Sequence, residues 1–175
     1  SGTTGTSKIV MLSQKNICTV INSARGPLEK FDENDTILSV LPVHHTYELT
    51  AGIFCAMDHG VKVCINDSIK HVSKNLKKYK PTGMAVVPLY VEVFYNNIMK
   101  NVRKQGIEKT FNFALKASTA AKKVNIDLSK KLFGKVMEAF GGRLNKLVCG
   151  GAALRPELLY TFRAIGVEIV QGYGI

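Results

Sequence analysis

The first residues of the chain, SGTTGTSK at 1–8, place hydroxyl side chains and glycines ahead of a lysine. Glycine lets a backbone approach a ligand closely, and consecutive N–H groups, with hydroxyls, can bind an anion. Together with the charge of Lys8, this stretch has the chemistry of a phosphate-binding loop. It is not a Walker A loop, because Gly2 and Gly5 are three residues apart and Ile9 follows Lys8. A flexible polar segment explains the composition equally well, and both interpretations stay open.

Two glycine turns, in VCGGAAL (148–154) and VQGYGI (170–175), directly follow apolar runs typical of strands. Paired glycines expose backbone on which a flat ring can lie, and Tyr173, between two glycines, could stack on a base. Ordinary turns at the ends of strands, with Tyr173 half-buried, would produce the same pattern.

A third candidate is LPVHHTYE at 41–48, where two histidines and a carboxylate follow an apolar run. His44 and His45 precede Glu48 by four and three residues, so a helix would bring all three together. Such a group could perform acid–base chemistry, although it offers too few ligands for a convincing metal site. Polar residues that pack at the start of a helix are an equally good interpretation.

Strand-like and helix-like segments alternate along the chain, which predicts an α/β fold with a largely parallel sheet flanked by helices. In such sheets ligands bind beyond the carboxyl ends of the strands, where the glycine turns are expected. The predicted strands are 36–43, 61–66, 83–88, 146–151 and a final strand that starts at 167 and runs into the last turn. The predicted helices are 14–25, 46–60, 68–81, 89–106 and 155–166. Two more are predicted, one within 109–124 and one within 127–140.

Several helix ends have recognisable signals. Ser13 is a candidate N-cap of the first helix, which is expected to stop at Gly26-Pro27. Gly60 and Gly166 are expected to follow helix ends. In the helix 89–106, apolar residues recur at spacings of three or four. These residues predict a buried stripe: Leu89, Tyr90, Val93, Phe94, Ile98 and Val102.

The chain of 175 residues carries a net charge of +11. Residues 70–146 contain 17 Lys and Arg against 4 Asp and Glu, whereas the rest contains 7 against 9. Solvated helix faces explain this basic block, and it could also steer an anionic ligand toward the chain. The four cysteines are scattered through apolar stretches, which favours buried thiols in a reducing compartment over disulfides. With no membrane-spanning run and no signal peptide visible, we expect a cytoplasmic protein, with peripheral membrane attachment as an alternative.

Taken together, these motifs resemble the adenylate-forming, or AMP-binding, enzyme superfamily. SGTTGTSKIVMLSQKNI is similar to its phosphate loop, LPVHHTYE to the segment that gates the acyl pocket, and CGGAALRPELLYTFRAIGVEIVQGYGI to the region ending in the adenine turn. The closing glutamate of LPVHHTYE, VVPLYVEVFYNNI and LFGKVMEAFGGRLNKLVCGGAAL are similar to long-chain fatty acid–CoA ligases. The chain is thus expected to be one partial AMP-binding domain, residues 1–175, without the C-terminal domain.

The resemblance assigns roles to individual residues. His45 matches the gate of the acyl pocket and is the candidate catalytic residue. Ser7 and Ile9 depart from the proline and glycine usual in the phosphate loop, so this loop is expected to differ in shape. The residues that match the ATP phosphate loop are Ser1, Gly2, Thr3, Thr4, Gly5 and Lys8. The residues that match the adenine and acyl-adenylate site are Gly150, Gly151, Ala152, Gln171, Gly172, Tyr173 and Gly174.

The activity implied by the resemblance is that of an acid–thiol ligase that uses ATP, Mg²⁺ and coenzyme A to convert a fatty acid to its acyl-CoA through an acyl-adenylate. Rival interpretations are an aryl or amino acid substrate, and a non-catalytic domain that binds anionic lipid or nucleic acid. For the ligase, the expected partners are fatty acid, ATP and CoA, with an anionic membrane surface as a further candidate and no nucleic acid. The family's Mg²⁺ glutamate, ribose contact and catalytic lysine have no counterpart in these residues. The chain assayed alone is therefore expected to be inactive, with a poorly ordered phosphate loop.

Overall fold

A computed structural model describes residues 10–28 and 31–172, with side chains from 10 to 24 and from 31 to 172. Its centre is a sheet of five strands in the order β2-β1-β3-β4-β5, in which every pairing is parallel. The strands are β1 (Thr36–Ser39), β2 (Lys62–Ile65), β3 (Gly83–Val86), β4 (Lys146–Cys149) and β5 (Glu168–Gln171). The predicted α/β class with a largely parallel sheet is therefore confirmed.

Helices connect consecutive strands, as parallel pairing requires. A π-helical segment, Glu48–Phe54, leads directly into a short α-helix between β1 and β2. A 3₁₀ turn, Ile69–His71, precedes the helix between β2 and β3. The α-helices are α1 (Gln14–Leu28), α2 (Cys55–Asp58), α3 (Val72–Tyr79), α4 (Pro88–Lys104), α5 (Glu108–Lys123), α6 (Ser129–Ala139) and α7 (Pro156–Ile165).

Both faces of the sheet are covered, because successive strand residues point to opposite sides. Ile37 of β1 packs in a smaller cluster with Phe31 and Cys55. The adjacent Leu38 belongs to the main core, which extends through Phe94 and Phe162 to the helices that follow β2. The turns that follow the strands therefore lie at the carboxyl edge of the sheet.

The end of α1 and the stripe of α4 differ from the predictions. Helix α1 continues past Gly26-Pro27 to Leu28, so the predicted stop at this pair is wrong by two to three residues. In α4, Leu89 is 66 % and Val93 46 % exposed. The buried side chains are Val91, Phe94, Ile98 and Val102, so the stripe is rotated toward Val91 at the helix start.

The capping signals perform as predicted. The Ser13 hydroxyl accepts a hydrogen bond from the Asn16 N–H at 3.2 Å, which caps α1. Gly60 and Gly166 follow helix ends with φ of +68° and +100°, in the left-handed region that favours glycine. These turns return the chain to β2 and β5.

The cysteines are free thiols, as predicted, but they are not uniformly buried. Cys55 and Cys149 are buried, Cys64 is half-buried and Cys18 is exposed. Cys18 lies on α1, most of whose described side chains face solvent. An apolar stretch on an outer helix therefore does not imply burial.

Candidate functional site

The carboxyl ends of β3, β4 and β5 form one edge, where Val86, Cys149 and Gln171 align in register. The Gly150 N–H donates to the Val86 carbonyl at 3.1 Å, and the Gly172 N–H donates to the Cys149 carbonyl at 2.8 Å. These bonds continue the ladder by one residue into both glycine turns. The structure thus brings Gly150 and Gly172 to the same edge, although they are 22 residues apart in the sequence.

The turn after β4 leaves backbone accessible. Gly151 is exposed with a φ of +87°, and Ala152 beside it is also exposed. Gln171 and Gly172 are exposed at the end of the neighbouring strand. Gly151, Ala152 and Gly172 carry no side chain beyond a methyl group, so their backbone is accessible to a flat heterocycle such as adenine. Tyr173 and Gly174, which complete the predicted adenine turn, lie outside the described residues.

Tyr47 occupies the other side of the Gly150 turn, and sequence reasoning missed it. Its hydroxyl donates to the Val148 carbonyl at 2.8 Å and lies 3.4 Å from the Val86 carbonyl. Burial raises the pKa of this phenol, with smaller contributions in the same direction from Cys149 and Glu48. The side chain therefore stays a neutral donor that ties the segment after β1 to the edge formed by β3 and β4.

Gly150 packs closely against Tyr47. A Cβ on this residue would lie 3.0 Å from Cζ of Tyr47 and 3.1 Å from Cε2. A larger residue after β4 would require the Tyr47 ring to shift. The tyrosine ring in LPVHHTYE and the first glycine of VCGGAAL are therefore one structural unit, and the only available sequence signal was that both follow strands.

His45 lies in the exposed turn that precedes the π-helical segment, and His44 beside it is also exposed. The Nδ1 atom of His45 accepts a hydrogen bond from the Tyr47 N–H at 3.2 Å. In the neutral ring the proton is then on Nε2. The His45 ring is thus oriented by a backbone donor of its own segment.

Glu48 is not brought together with the histidines, as the helical spacing suggested. It is fully buried, whereas both histidines face solvent. No described contact joins them, so the expected group of two histidines and a carboxylate does not form. The cause is the helix geometry, since the turn after His45 directs position 48 inward under β1.

The Glu48 carboxyl lies in an apolar environment that raises its pKa through burial. The Ser39 hydroxyl and the Val40 backbone are near enough to oppose this shift, but neither reaches the carboxyl with hydrogen-bond geometry. Among the described residues, no group of three or more His, Cys, Asp or Glu could hold a metal ion. We therefore assign none of these residues to Mg²⁺.

The predicted stripe of α4 contains two aromatic residues, Tyr90 and Phe94, which differ in burial. Phe94 belongs to the core, with its ring edge-to-face against Phe140 at 5.3 Å between centroids. Tyr90 is half-buried and its hydroxyl donates to the Val40 carbonyl at 3.1 Å.

The predicted phosphate loop, with its expected disorder, lies outside the described residues. Its predicted phosphate-binding residues are Ser1, Gly2, Thr3, Thr4, Gly5 and Lys8.

Comparison with known proteins identifies the family. A family model described as AMP-binding enzyme matches residues 1–175, the whole chain. The chain belongs to the AMP-binding enzyme family. Long chain acyl-CoA synthetase 8 of Arabidopsis thaliana is 32% identical over 200 residues, which include 100% of this chain and 27% of the relative. Long-chain-fatty-acid–CoA ligase 6 of Mus musculus is 27% identical, over 99% of this chain and 26% of its own length.

Solved structures share the fold. VinN superposes with a TM-score of 0.62 at 17% identity, over 99% of this chain and 35% of VinN. O-succinylbenzoate Coenzyme A Synthetase from Bacillus subtilis, in complex with AMP, superposes with a TM-score of 0.60 at 19% identity, over 100% of this chain and 28% of that enzyme. The family-model match confirms the predicted family resemblance, and the chain spans about a quarter of the length of the curated relatives named above.

Proposed function

We propose that the whole protein containing this chain is a long-chain fatty acid–CoA ligase. The observation that carries the proposal is the match to the AMP-binding family over the whole chain, with long-chain acyl-CoA synthetases among the curated relatives. In the proposed reaction, the fatty carboxylate attacks the α-phosphate of ATP and releases pyrophosphate. The thiol of coenzyme A then displaces AMP from the acyl-adenylate.

The residues proposed to bind ATP form two groups, one for the phosphates and one for adenine. Ser1, Thr3, Thr4 and Lys8, with Gly2 and Gly5, would donate to the phosphates and reduce the repulsion between triphosphate and carboxylate. Mg²⁺ bound with the nucleotide would supply further positive charge. The exposed backbone of Gly151, Ala152 and Gly172 supports an adenine site at the carboxyl edge.

We assign the acyl side of the site to the segment before the π-helix. His45 is proposed to gate the acyl pocket, which its exposed position and the bond from Tyr47 to its Nδ1 support. Gly150 is buried against Tyr47, so its proposed contribution is to shape the floor of the site.

The test is ATP–pyrophosphate exchange by the whole protein. Exchange should require a long-chain fatty acid and should not be supported by aryl acids or amino acids. Lys8→Ala should lower exchange by about 100-fold, the size expected when one group that stabilises developing charge is lost. Lys100→Ala, which removes an exposed lysine of α4, should leave exchange unchanged. Exchange that depends on an aryl or amino acid instead would reassign the substrate.

A second candidate function rests on the uneven charge, since residues 70–146 carry 17 of the 24 Lys and Arg. A non-catalytic domain for anionic lipid or nucleic acid would use this block. Its binding should fall steeply with salt and should be insensitive to Lys8→Ala. No helix among the described residues is long and apolar enough to cross a membrane. Strong binding of vesicles or nucleic acid, without fatty-acid-dependent exchange, would favour this candidate.

A further inference from the structure

Two buried polar side chains, Glu48 and Ser39, lie behind the candidate site without ordinary partners. Glu48 is 0 % exposed and Ser39 is 1 % exposed. Neither oxygen of Glu48 nor Ser39 Oγ has a hydrogen-bond partner among the described residues. Buried polar groups are nearly always hydrogen-bonded, and an unpaired one destabilises the fold. Stability therefore does not explain why a carboxyl occupies this place.

The fold makes room for that carboxyl in a specific way. A Cβ on Gly52 would lie 2.8 Å from the Glu48 Cδ and 2.8 Å from its Oε1. Glu48 and Gly52 both belong to the π-helical segment, whose wider turn is rare and often found at functional sites. The glycine and the unusual helix together accommodate the carboxyl against the sheet.

The groups around the Glu48 carboxyl are uncharged. Among the described residues, no charged side chain contributes to its pKa, which burial raises, and the nearby polar groups are the Ser39 hydroxyl and the Val40 backbone. The titratable groups that face it are the phenols of Tyr47 and Tyr90, whose pKa values it helps to raise. The surroundings therefore favour the protonated acid, and ionisation would place a charge without a counter-ion inside the core.

Glu48 also directly follows the residue that connects the segment to the site. Tyr47 donates its hydroxyl to the Val148 carbonyl at 2.8 Å, and its N–H donates to His45 Nδ1 at 3.2 Å. The position of this tyrosine therefore affects the position of the Gly150 turn and the orientation of the His45 ring. A movement of Glu48 within the core would be transmitted to Tyr47 through the adjoining backbone.

We propose that Glu48 is a positioning residue, whose buried carboxyl holds the start of the π-helical segment and so keeps Tyr47 against Gly150. The carboxyl acts through its packing on Gly52 and its place beside Ser39. It does not contact a substrate. Its effect on catalysis rests on the proposed ligase function, whereas its effect on Tyr47 does not.

The first test follows Tyr47 directly by NMR of the 175-residue chain labelled with [¹³Cζ]tyrosine, with the signal assigned from Tyr47→Phe. Glu48→Ala should shift the Tyr47 signal, and Glu48→Gln should leave it near its original position because the amide has the same shape. Ser118→Ala, the control, removes another fully buried hydroxyl, which donates to the Ala164 carbonyl, and should not move the signal. An unchanged signal in Glu48→Ala, or an equal change in Ser118→Ala, overturns the proposal.

The second test follows the Tyr47 signal of the wild-type chain as the pH is changed. Its main measurement therefore does not depend on a variant that could fail to fold. Burial raises the pKa of Glu48 above its usual range, so raising the pH of the wild-type chain until this carboxyl ionises should move the Tyr47 signal. Glu48→Gln should abolish this titration. A Tyr47 signal that titrates equally in the wild type and in Glu48→Gln contradicts the proposal.

The third test uses the whole protein and separates the two proposals. Glu48→Ala should lower kcat/KM for the fatty acid about 10- to 100-fold through misplacement of the site, mainly by raising KM, and Glu48→Gln should restore it. If the wild-type whole protein shows no fatty-acid-dependent exchange, the proposed function fails while the Tyr47 signal still decides the role of Glu48. If exchange occurs and Glu48→Ala leaves it unchanged, the role in catalysis is refuted.

Discussion

The hydroxyl of Tyr47 joins parts of the chain that are 101 residues apart, because it donates to the Val148 carbonyl. Val148 lies within β4, and loss of the phenol leaves its carbonyl with one donor fewer. The stability that is lost with one such hydrogen bond depends mainly on how deeply the remaining partner is buried. Tyr47 is therefore the side chain at this edge whose truncation is most informative.

Tyr47→Phe should lower the free energy of unfolding by about 1 kcal/mol, the usual net value of one hydrogen bond. Urea unfolding of the chain measures this effect. The matched control is Tyr95→Phe, which removes a phenol that donates to Glu157 at an exposed position and should have a smaller effect. Equal losses in both variants would show that the Tyr47 bond has no special weight.

The space between Gly52 and Glu48 allows a second test at the scale of single residues. Gly52→Ala would place a methyl group 2.8 Å from the Glu48 carboxyl. Overpacking of a buried site destabilises by about 1–3 kcal/mol, and thermal unfolding should detect it as a lower Tm. Gly134→Ala in α6, where a new Cβ meets nothing within 4 Å, should raise stability by up to about 1 kcal/mol through helix propensity. A neutral Gly52→Ala would mean that the carboxyl moves aside freely.

Among the elements, the start of α3 depends on a polar network that follows β2. Nδ1 of His71 lies 2.7 Å from Oδ2 of Asp67, and Nδ2 of Asn75 donates to Oδ1 of Asp67 at 2.9 Å. The bonds from His71 and then Asn75 lower the pKa of the Asp67 carboxyl. The ionised form is thus favoured in the folded chain.

The sign of the pH dependence follows from that lowered pKa. The contribution of Asp67 to stability is present above its ordinary pKa of about 4 and is lost as the pH falls through the lowered value. The urea midpoint of Asp67→Asn should lie below that of the wild type at pH 6, and the two should converge under strongly acidic conditions. Parallel curves over the whole range would show that Asp67 ionisation is not linked to folding.

At the scale of the whole molecule, the length of the chain bears on activity, because it spans 27% of one curated relative and 26% of another. The 175-residue chain by itself should show no fatty-acid-dependent ATP–pyrophosphate exchange, since three quarters of such a relative is not represented in it. The whole protein, assayed in parallel, is the control. Exchange by the chain alone would show that the phosphate loop and the carboxyl edge suffice for adenylation.

The prediction of the elements from the sequence was largely successful because its signals act over a few residues. Apolar runs of four to eight residues located the strands, and Ser13, Gly60 and Gly166 marked helix ends through local hydrogen bonds and φ. The family was also accessible, since three motifs in a fixed order carried the resemblance that the match over residues 1–175 confirms. The predicted stripe of α4 was partly wrong. Spacing shows that apolar residues recur on one side of a helix, but it fixes only roughly the direction in which that side faces the core.

Only the tertiary structure decided how the candidate site is arranged. The spacing of His44, His45 and Glu48 was compatible with one polar group, but packing directs Glu48 into the core and leaves both histidines in solvent. Tyr47 gave no local signal, because its partners Val148 and Gly150 become neighbours only when the sheet places β4 beside β3. Residue types and local periodicity determine which elements form, whereas the contacts between distant segments depend on the order in which the strands pair.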